Sequence, residues 1–154
     1  MISSDDKPYD LPLKSSALVY RRVDNEYEFL CLKRTLGDGE QSSREEGWWE
    51  FPGGGVRSNE NIKQAMLREL EEETGITNPL VIIENIRHIS WEWKGEAYIS
   101  FIFAVEVADD TIIKLSPLEH TAFRWCTLIE AFSQLTYKTV KETLRIFQEN
   151  YMHK

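Results

Sequence analysis

The sequence predicts an α/β domain in which a mixed sheet is flanked by helices. Three observations carry that expectation. Apolar stretches of strand length outnumber those with a helical period. Several of the strand-like stretches are joined through short polar turns, the mark of antiparallel hairpins. One short strand instead runs through Pro52-Gly53-Gly54-Gly55 into a helix, a strand–loop–helix unit that places helices beside the sheet. A chain of 154 residues is one ordinary domain with room for a core, and 42% hydrophobic with 29% charged residues marks a soluble globular composition.

Residues 1–14 carry Pro8, Pro12 and several charges and are expected to form a flexible lead-in, with the domain proper spanning 15–154. Ser16 to Arg22 is a strand, and Tyr27 to Arg34 its hairpin partner through Asp24-Asn25-Glu26. Residues 35–47 are rich in Gly, Ser and charge without an apolar period, and so form a loop. Trp48 to Phe51 is a short strand that the proline and glycines end and turn. The helix that follows starts at Asn61, with Gln64 at the capping-box spacing. It carries Leu67 and Leu70 on its core face and stops at Gly75, which suits the left-handed residue past a helix end. Leu80 to Ile86, His88 to Trp93 and Tyr98 to Val107 are strands, the last two joined by Lys94-Gly95-Glu96. Ala122 to Cys126 is another strand and Ile129 to Leu135 a short helix. Val140, Leu144, Phe147 and Tyr151 recur at helical spacing and mark a final helix.

The totals narrow the function classes. A formal net charge of −8 disfavours a sequence-independent grip on nucleic acid, although a local basic pocket stays open. The apolar runs are far short of a membrane span, and Met1 to Asp10 is polar and acidic, unlike a secretory signal. Cys31 and Cys126 sit in apolar strands without Cys/His metal spacing and read as buried thiols of a cytoplasmic protein.

The chemical centre is the helix segment Arg68-Glu69-Leu70-Glu71-Glu72-Glu73. At about 100° per residue, Glu69 and Glu73 lie about 40° apart and Glu72 about 60° to their other side, while Glu71 points away. Like charges so placed destabilise an isolated helix. A hard divalent cation with oxygen ligands turns the repulsion into coordination. The plainer alternative is a solvated acidic helix face. Gly54, Glu60, Arg68, Glu69, Leu70, Glu72, Glu73, Gly75 and Ile76 together match all nine defined positions of glycine-x5-Glu-x7-Arg-Glu-apolar-x-Glu-Glu-x-Gly-apolar. In this the chain resembles the Nudix hydrolases. The resemblance implies a Nudix-type α/β/α sandwich with the acidic helix against the sheet. It also implies hydrolysis of a nucleoside diphosphate linked to another group, with Mg2+ as cofactor and Mn2+ a credible substitute.

The resemblance further implies a metal set of Gly53 (through its carbonyl), Glu69, Glu72 and Glu73, with Glu60 and Arg68 bracing the loop against the helix. Gly54 and Gly75 are then structural. The loop departs from the commonest family wording at Gly55, Arg57 and Asn59. Asn59 is a mild change, since Asn tolerates positive φ better than other non-glycine residues. Residues 115–125, Leu-Ser-Pro-Leu-Glu-His-Thr-Ala-Phe-Arg-Trp, resemble the matching segment of dinucleoside polyphosphate hydrolases and of nucleoside triphosphate pyrophosphohydrolases. That likeness makes Glu119 a metal ligand or general base, against the alternative of an ordinary loop residue. His120 reads as a structural histidine. Lys33 and Arg34 are either an exposed strand end or a phosphate clamp. Trp48, Tyr137 and Lys138 are candidate substrate contacts, and Trp91, Trp93 and Tyr98 add aromatic surface on which a base could stack.

The expected substrate is a dinucleoside polyphosphate or a nucleoside triphosphate. A coenzyme A or nucleotide-sugar pyrophosphatase is the rival. Leu30 to Arg34 and Gly47 to Gly54 are similar to the upstream coenzyme A pattern, but Leu32 stands at its Thr/Ser position and Arg44 is one residue out of step. A catalytically silent nucleotide-sensing module is the alternative outside catalysis, and the intact carboxylates speak against it. The enzyme is expected to be a monomer or homodimer with a small nucleotide as its partner.

Overall fold

In the computed structural model, the described residues are 10–35 and 47–152. Among the described residues, seven strands and three helices follow in the order β1 (Asp10–Val23), β2 (Glu26–Arg34), β3 (Trp49–Glu50), β4 (Gly53–Arg57), α1 (Ile62–Thr74), β5 (Val81–Trp93), β6 (Glu96–Glu106), β7 (His120–Cys126), α2 (Leu128–Gln134) and α3 (Lys138–Tyr151). The sheet runs β3-β2-β1-β6-β5, with β4 also paired to β1 and β7 to β2. It is mixed because β1 and β6 are parallel, Leu13 facing Ile99 and Tyr20 facing Glu106, while every other pairing is antiparallel.

Strand alternation builds two cores on the two faces of the sheet. Ala17, Val19, Leu30, Leu32, Phe103 and Val105 face α1, where Met66 and Leu70 cover them. Leu18, Tyr20, Phe29, Cys31, Ala104 and Cys126 face the other way, against Ala131 of α2, Leu135 at its C-cap, and Leu144 and Phe147 of α3. Both cysteines are buried and free. The result is the expected α/β/α sandwich. No helix among the described residues is long and apolar enough to cross a membrane.

The hairpin turns follow from backbone chemistry. Asp24 and Asn25 adopt positive φ (54° and 69°) between Val23 and Glu26, as do Lys94 and Gly95 (52° and 82°) between β5 and β6. Two consecutive positive φ values make the turn whose twist matches the flanking strands.

Three boundaries differ from the sequence expectation. β1 begins at Asp10, so residues 10–14 of the expected lead-in are strand, held between β4 and β6. Pro12 is tolerated there because it lies in the stretch between Asp10 and Lys14 where the β4 register shifts. The glycines at 53–55 do not merely turn the chain. They form β4, which lies so close to β1 that a Cβ on Gly53 would sit 2.5 Å from Ser16 Cβ. The two strands expected at 80–93 are one, β5, irregular between Ile83 and Arg87 where Asn85 takes φ 57°. Most of the expected loop at 35–47 and the first nine residues lie outside the described residues.

Candidate active site

Helix α1 is positioned at both ends. Asn61 accepts from the Gln64 N–H and the Gln64 side chain accepts from the Asn61 N–H, a complete capping box. Gly75 closes the helix at φ 77°, its N–H bonded to the Glu71 carbonyl. With α1 seated on the sheet by Met66 and Leu70, the acidic face meets the β1–β4 pair. Glu73 is buried and accepts the Gly53 N–H at 3.1 Å through Oε1. Thus Gly53 meets Glu73 through its amide. The Glu69 carboxylate lies against Gly54, in the space a Cβ there would take.

Arg68 and Glu60 form the expected brace. Arg68 Nη2 donates to Glu60 Oε1 at 2.7 Å and its Nε to Glu60 Oε2 at 3.0 Å. The same guanidinium reaches the Gly55 carbonyl at 2.9 Å and Glu69 Oε2 at 3.0 Å, so it ties β4, the following turn and α1 together. Glu60 also accepts the Arg57 N–H at 3.0 Å. These hydrogen bonds, Arg68 foremost, hold the Glu60 carboxyl below its ordinary value. Glu72 is half-exposed and touches Arg68 Nη1 only at 3.4 Å. Asn59 does not take positive φ, so glycine's backbone freedom is not needed at that place.

Glu119 comes from across the sheet. Its carbonyl accepts the Thr35 N–H at 2.8 Å and its N–H donates to the Ser116 carbonyl at 3.0 Å, which sets the loop beside the end of β2. Glu73, Glu119 and His120 each offer one ligand atom within 4.8 Å of the others, a grouping compatible with a single metal ion. Glu69 and Glu72 fall outside that grouping. Burial, then the neighbouring Glu69 charge and hydrogen bonding with Glu119, push the Glu73 carboxyl up to about 10, although the Gly53 N–H opposes this. Burial also raises Glu69, against the pull of Arg68. Carboxylates so crowded stay ionised together only beside a cation. Two carboxylates with one histidine therefore fit a divalent ion.

His120 is 1% exposed and its Nε2 lies 2.8 Å from Glu50 Oε2. Glu50 in turn takes Arg34 Nη1 at 3.3 Å. His120 Nδ1 is buried without a hydrogen-bond partner among the described residues. Nothing in the sequence marks Glu50 as a site residue. The residues in contact stand 70 positions apart, and no local pattern links them.

A cleft of about 840 Å³ adjoins these groups and is lined by Gly53, Gly54, Glu50 and Arg34. One aromatic pair, Trp48 and Tyr137, packs edge-on at 4.6 Å between ring centres, and a second, Trp91 and Tyr98, stacks at 4.7 Å. All four rings line the cleft. Trp48 and Tyr137 are brought together by Trp49, which donates its N–H to Thr136 Oγ1 and accepts the Thr136 N–H. Lys14 and Lys94 also line the cleft, and Lys14 Nζ sits 5.4 Å from the Tyr98 ring centre. Lys33 and Lys138 are not part of the lining. Lys14 sits in the stretch expected to be lead-in, and nothing in the sequence marks it as a cleft residue.

The chain matches the NUDIX domain model over residues 12–148. It is 36% identical over 140 residues to the asymmetrical bis(5'-nucleosyl)-tetraphosphatase of Sus scrofa, covering 83% of this chain and 87% of that protein. It is also 36% identical over 104 residues to an octanoyltransferase of Myxococcus xanthus, but spans only 28% of that protein's length. Among solved structures, a C. elegans Ap4A hydrolase binary complex superposes with a TM-score of 0.74 at 24% identity, over 89% of this chain and 95% of that one. This last likeness concerns the fold.

Proposed function

The chain belongs to the NUDIX domain family, and from that premise we propose a divalent-metal-dependent hydrolase that splits a pyrophosphate bond in a dinucleoside polyphosphate. One observation carries the substrate class. The cleft bordering the acidic group holds two separate aromatic pairs, Trp48 with Tyr137 and Trp91 with Tyr98, with cationic side chains along the same lining. Two bases joined by a polyphosphate need two stacking surfaces and positive charge, and each stacked base contributes roughly 1–3 kcal/mol. The similarity to the pig tetraphosphatase over most of both chains supports the same class.

In this reading Glu73 and Glu119 hold the ion, with Glu69 and Glu72 completing the acidic surface and the Gly53 backbone beside them. The ion is Mg2+ or Mn2+, and when bound it neutralises phosphate oxygens and eases deprotonation of the attacking water. Arg68 and Glu60 hold α1 and β4 in register, so the carboxylates keep their places. Arg34, on the cleft wall, offers its guanidinium to a phosphate, while Lys33 and Lys138 supply charge outside the lining. Glu119, the most exposed of the grouped acids, accepts a proton from the attacking water. With a net charge of −8, the enzyme works on small nucleotides rather than on nucleic acid, as a cytoplasmic monomer or homodimer.

The test is a panel of diadenosine tetraphosphate, nucleoside triphosphates, coenzyme A and nucleotide sugars, assayed with and without Mg2+ or Mn2+ and resolved by product chromatography. Fastest metal-dependent cleavage of the dinucleotide is expected. Preference for a triphosphate, coenzyme A or a nucleotide sugar would move the substrate class. No metal-dependent cleavage of any panel member, with binding retained, would make the chain a silent sensor.

A further inference from the structure

We propose that His120 is itself a metal ligand, joining Glu73 and Glu119 through Nδ1 in a mixed nitrogen–oxygen site that prefers manganese to magnesium. The inference rests on the reading that this acidic group holds the cation, and it adds a ligand which that reading does not require.

Three observations converge on it. First, a ring nitrogen of His120 lies with one oxygen of Glu73 and one of Glu119 inside a 4.8 Å grouping. Three ligands each about 2.1 Å from one ion and evenly spread lie at most about 3.6 Å apart, so the three side chains draw together as the ion binds. Second, Nε2 is engaged: it donates to Glu50 Oε2 at 2.8 Å, and Glu50 is steadied by Arg34. A carboxylate on one ring nitrogen fixes the tautomer that leaves a lone pair on the other, the arrangement that orients metal-bound histidines. Third, that other nitrogen, Nδ1, is buried in a ring only 1% exposed and has no hydrogen-bond partner among the described residues. A structural histidine explains the Glu50 contact but leaves this lone pair desolvated and unmatched, which is unfavourable. An ion placed between His120 and the two carboxylates satisfies all of them at once.

Selectivity follows from the donor set. Imidazole suits first-row transition ions, whereas magnesium favours oxygen ligands and retained waters. One nitrogen among carboxylates therefore tilts the site toward manganese without excluding magnesium.

The decisive measurement is electron spin-echo modulation on the full-length, metal-free protein titrated with Mn2+. Modulation from a directly bound 14N is expected, replaced by the 15N pattern when the protein is made with 15N-histidine. His120→Gln is expected to abolish the modulation and to weaken Mn2+ binding by at least about tenfold while affecting Mg2+ less. Glu50→Gln is expected to keep the modulation and weaken Mn2+ by roughly 10–100-fold, the range for a residue that orients a ligand. Because isotope labelling uses the parent protein, a misfolded variant does not block the test. Bound Mn2+ with no histidine nitrogen modulation overturns the inference and leaves the acidic site standing. Mn2+ binding unchanged by Glu73→Gln overturns the acidic site as well.

Discussion

At the scale of single residues, Glu73 and its neighbour across the sheet divide the work. Glu73 is buried, bonded to Gly53 and crowded by Glu69, so its charge is tolerated only beside a cation. Glu73→Gln is expected to lower turnover by more than about a hundredfold, since it weakens the group that positions the ion. The same change is expected to raise the melting temperature of metal-free protein, because an amide, unlike the raised Glu73 carboxyl, need not take up a proton on folding. Turnover and melting curves measured on one preparation check both halves, and a near-normal metal-dependent rate would remove Glu73 from the site. Glu119 is exposed and belongs to a loop. If it accepts the proton of the attacking water, Glu119→Gln lowers kcat by roughly 10²–10⁴-fold with little change in KM, since that role is realised in the transition state. A rate within about threefold of the parent, well short of that range, would return it to an ordinary loop residue.

At the scale of elements, β4 and α1 make the site by close approach, and adjacent glycines in β4 are close for different reasons. A Cβ on Gly53 would meet the Ser15 carbonyl oxygen at 2.6 Å and Ser16 Cα at 2.7 Å, so Gly53→Ala must push β1 and β4 apart. An added group that moves backbone costs about 1–3 kcal/mol, readable in chemical denaturation. The three atoms nearest a Cβ on Gly54 all belong to the Glu69 carboxylate, the end of a flexible side chain. Gly54→Ala is therefore expected to leave stability within about 1 kcal/mol of the parent while weakening metal affinity, measured by titration calorimetry. The opposite ranking of the two variants would show that the strands, not the carboxylate, yield at Gly54. Much of this architecture was legible beforehand because its signals are local. The capping box at Asn61 and Gln64, the stop at Gly75 and the alternation of residues 16–22 each lie within one element. The β1–β4 pairing was not legible, because a run of glycines reads as a turn and nothing local shows that it must fit under a second strand. The Glu50–His120 contact and the place of Lys14 in the cleft were hidden for the same reason: tertiary folding, not sequence spacing, creates them.

At the scale of the whole molecule, the buried acids couple stability to pH and metal. Glu73 has an unfolded value of about 4.3 and a folded value raised to about 10. Between them the native state binds more protons than the unfolded chain, so metal-free protein loses stability as pH rises through that window. Saturating Mn2+ compensates the carboxylate charge and flattens the slope. The metal-induced rise in melting temperature is accordingly expected to be larger at pH 9 than at pH 6, and the reverse order would mean that the raised carboxyl does not govern stability. The parallel pairing of β1 with β6 carries a different consequence, one of timing. Leu13 to Tyr20 face Ile99 to Glu106, so a strand made early in synthesis waits for one made more than eighty residues later. On the ribosome the nascent β1–β2 hairpin can form by itself, but its other edge stays open until β6 emerges. Non-local pairings of this kind slow folding and leave strand edges exposed in the interval. Amides of β1 in a chain stalled before residue 99 are therefore expected to exchange with solvent far faster than in the released protein, and chaperone demand during translation is expected to fall sharply once residue 106 has cleared the exit tunnel.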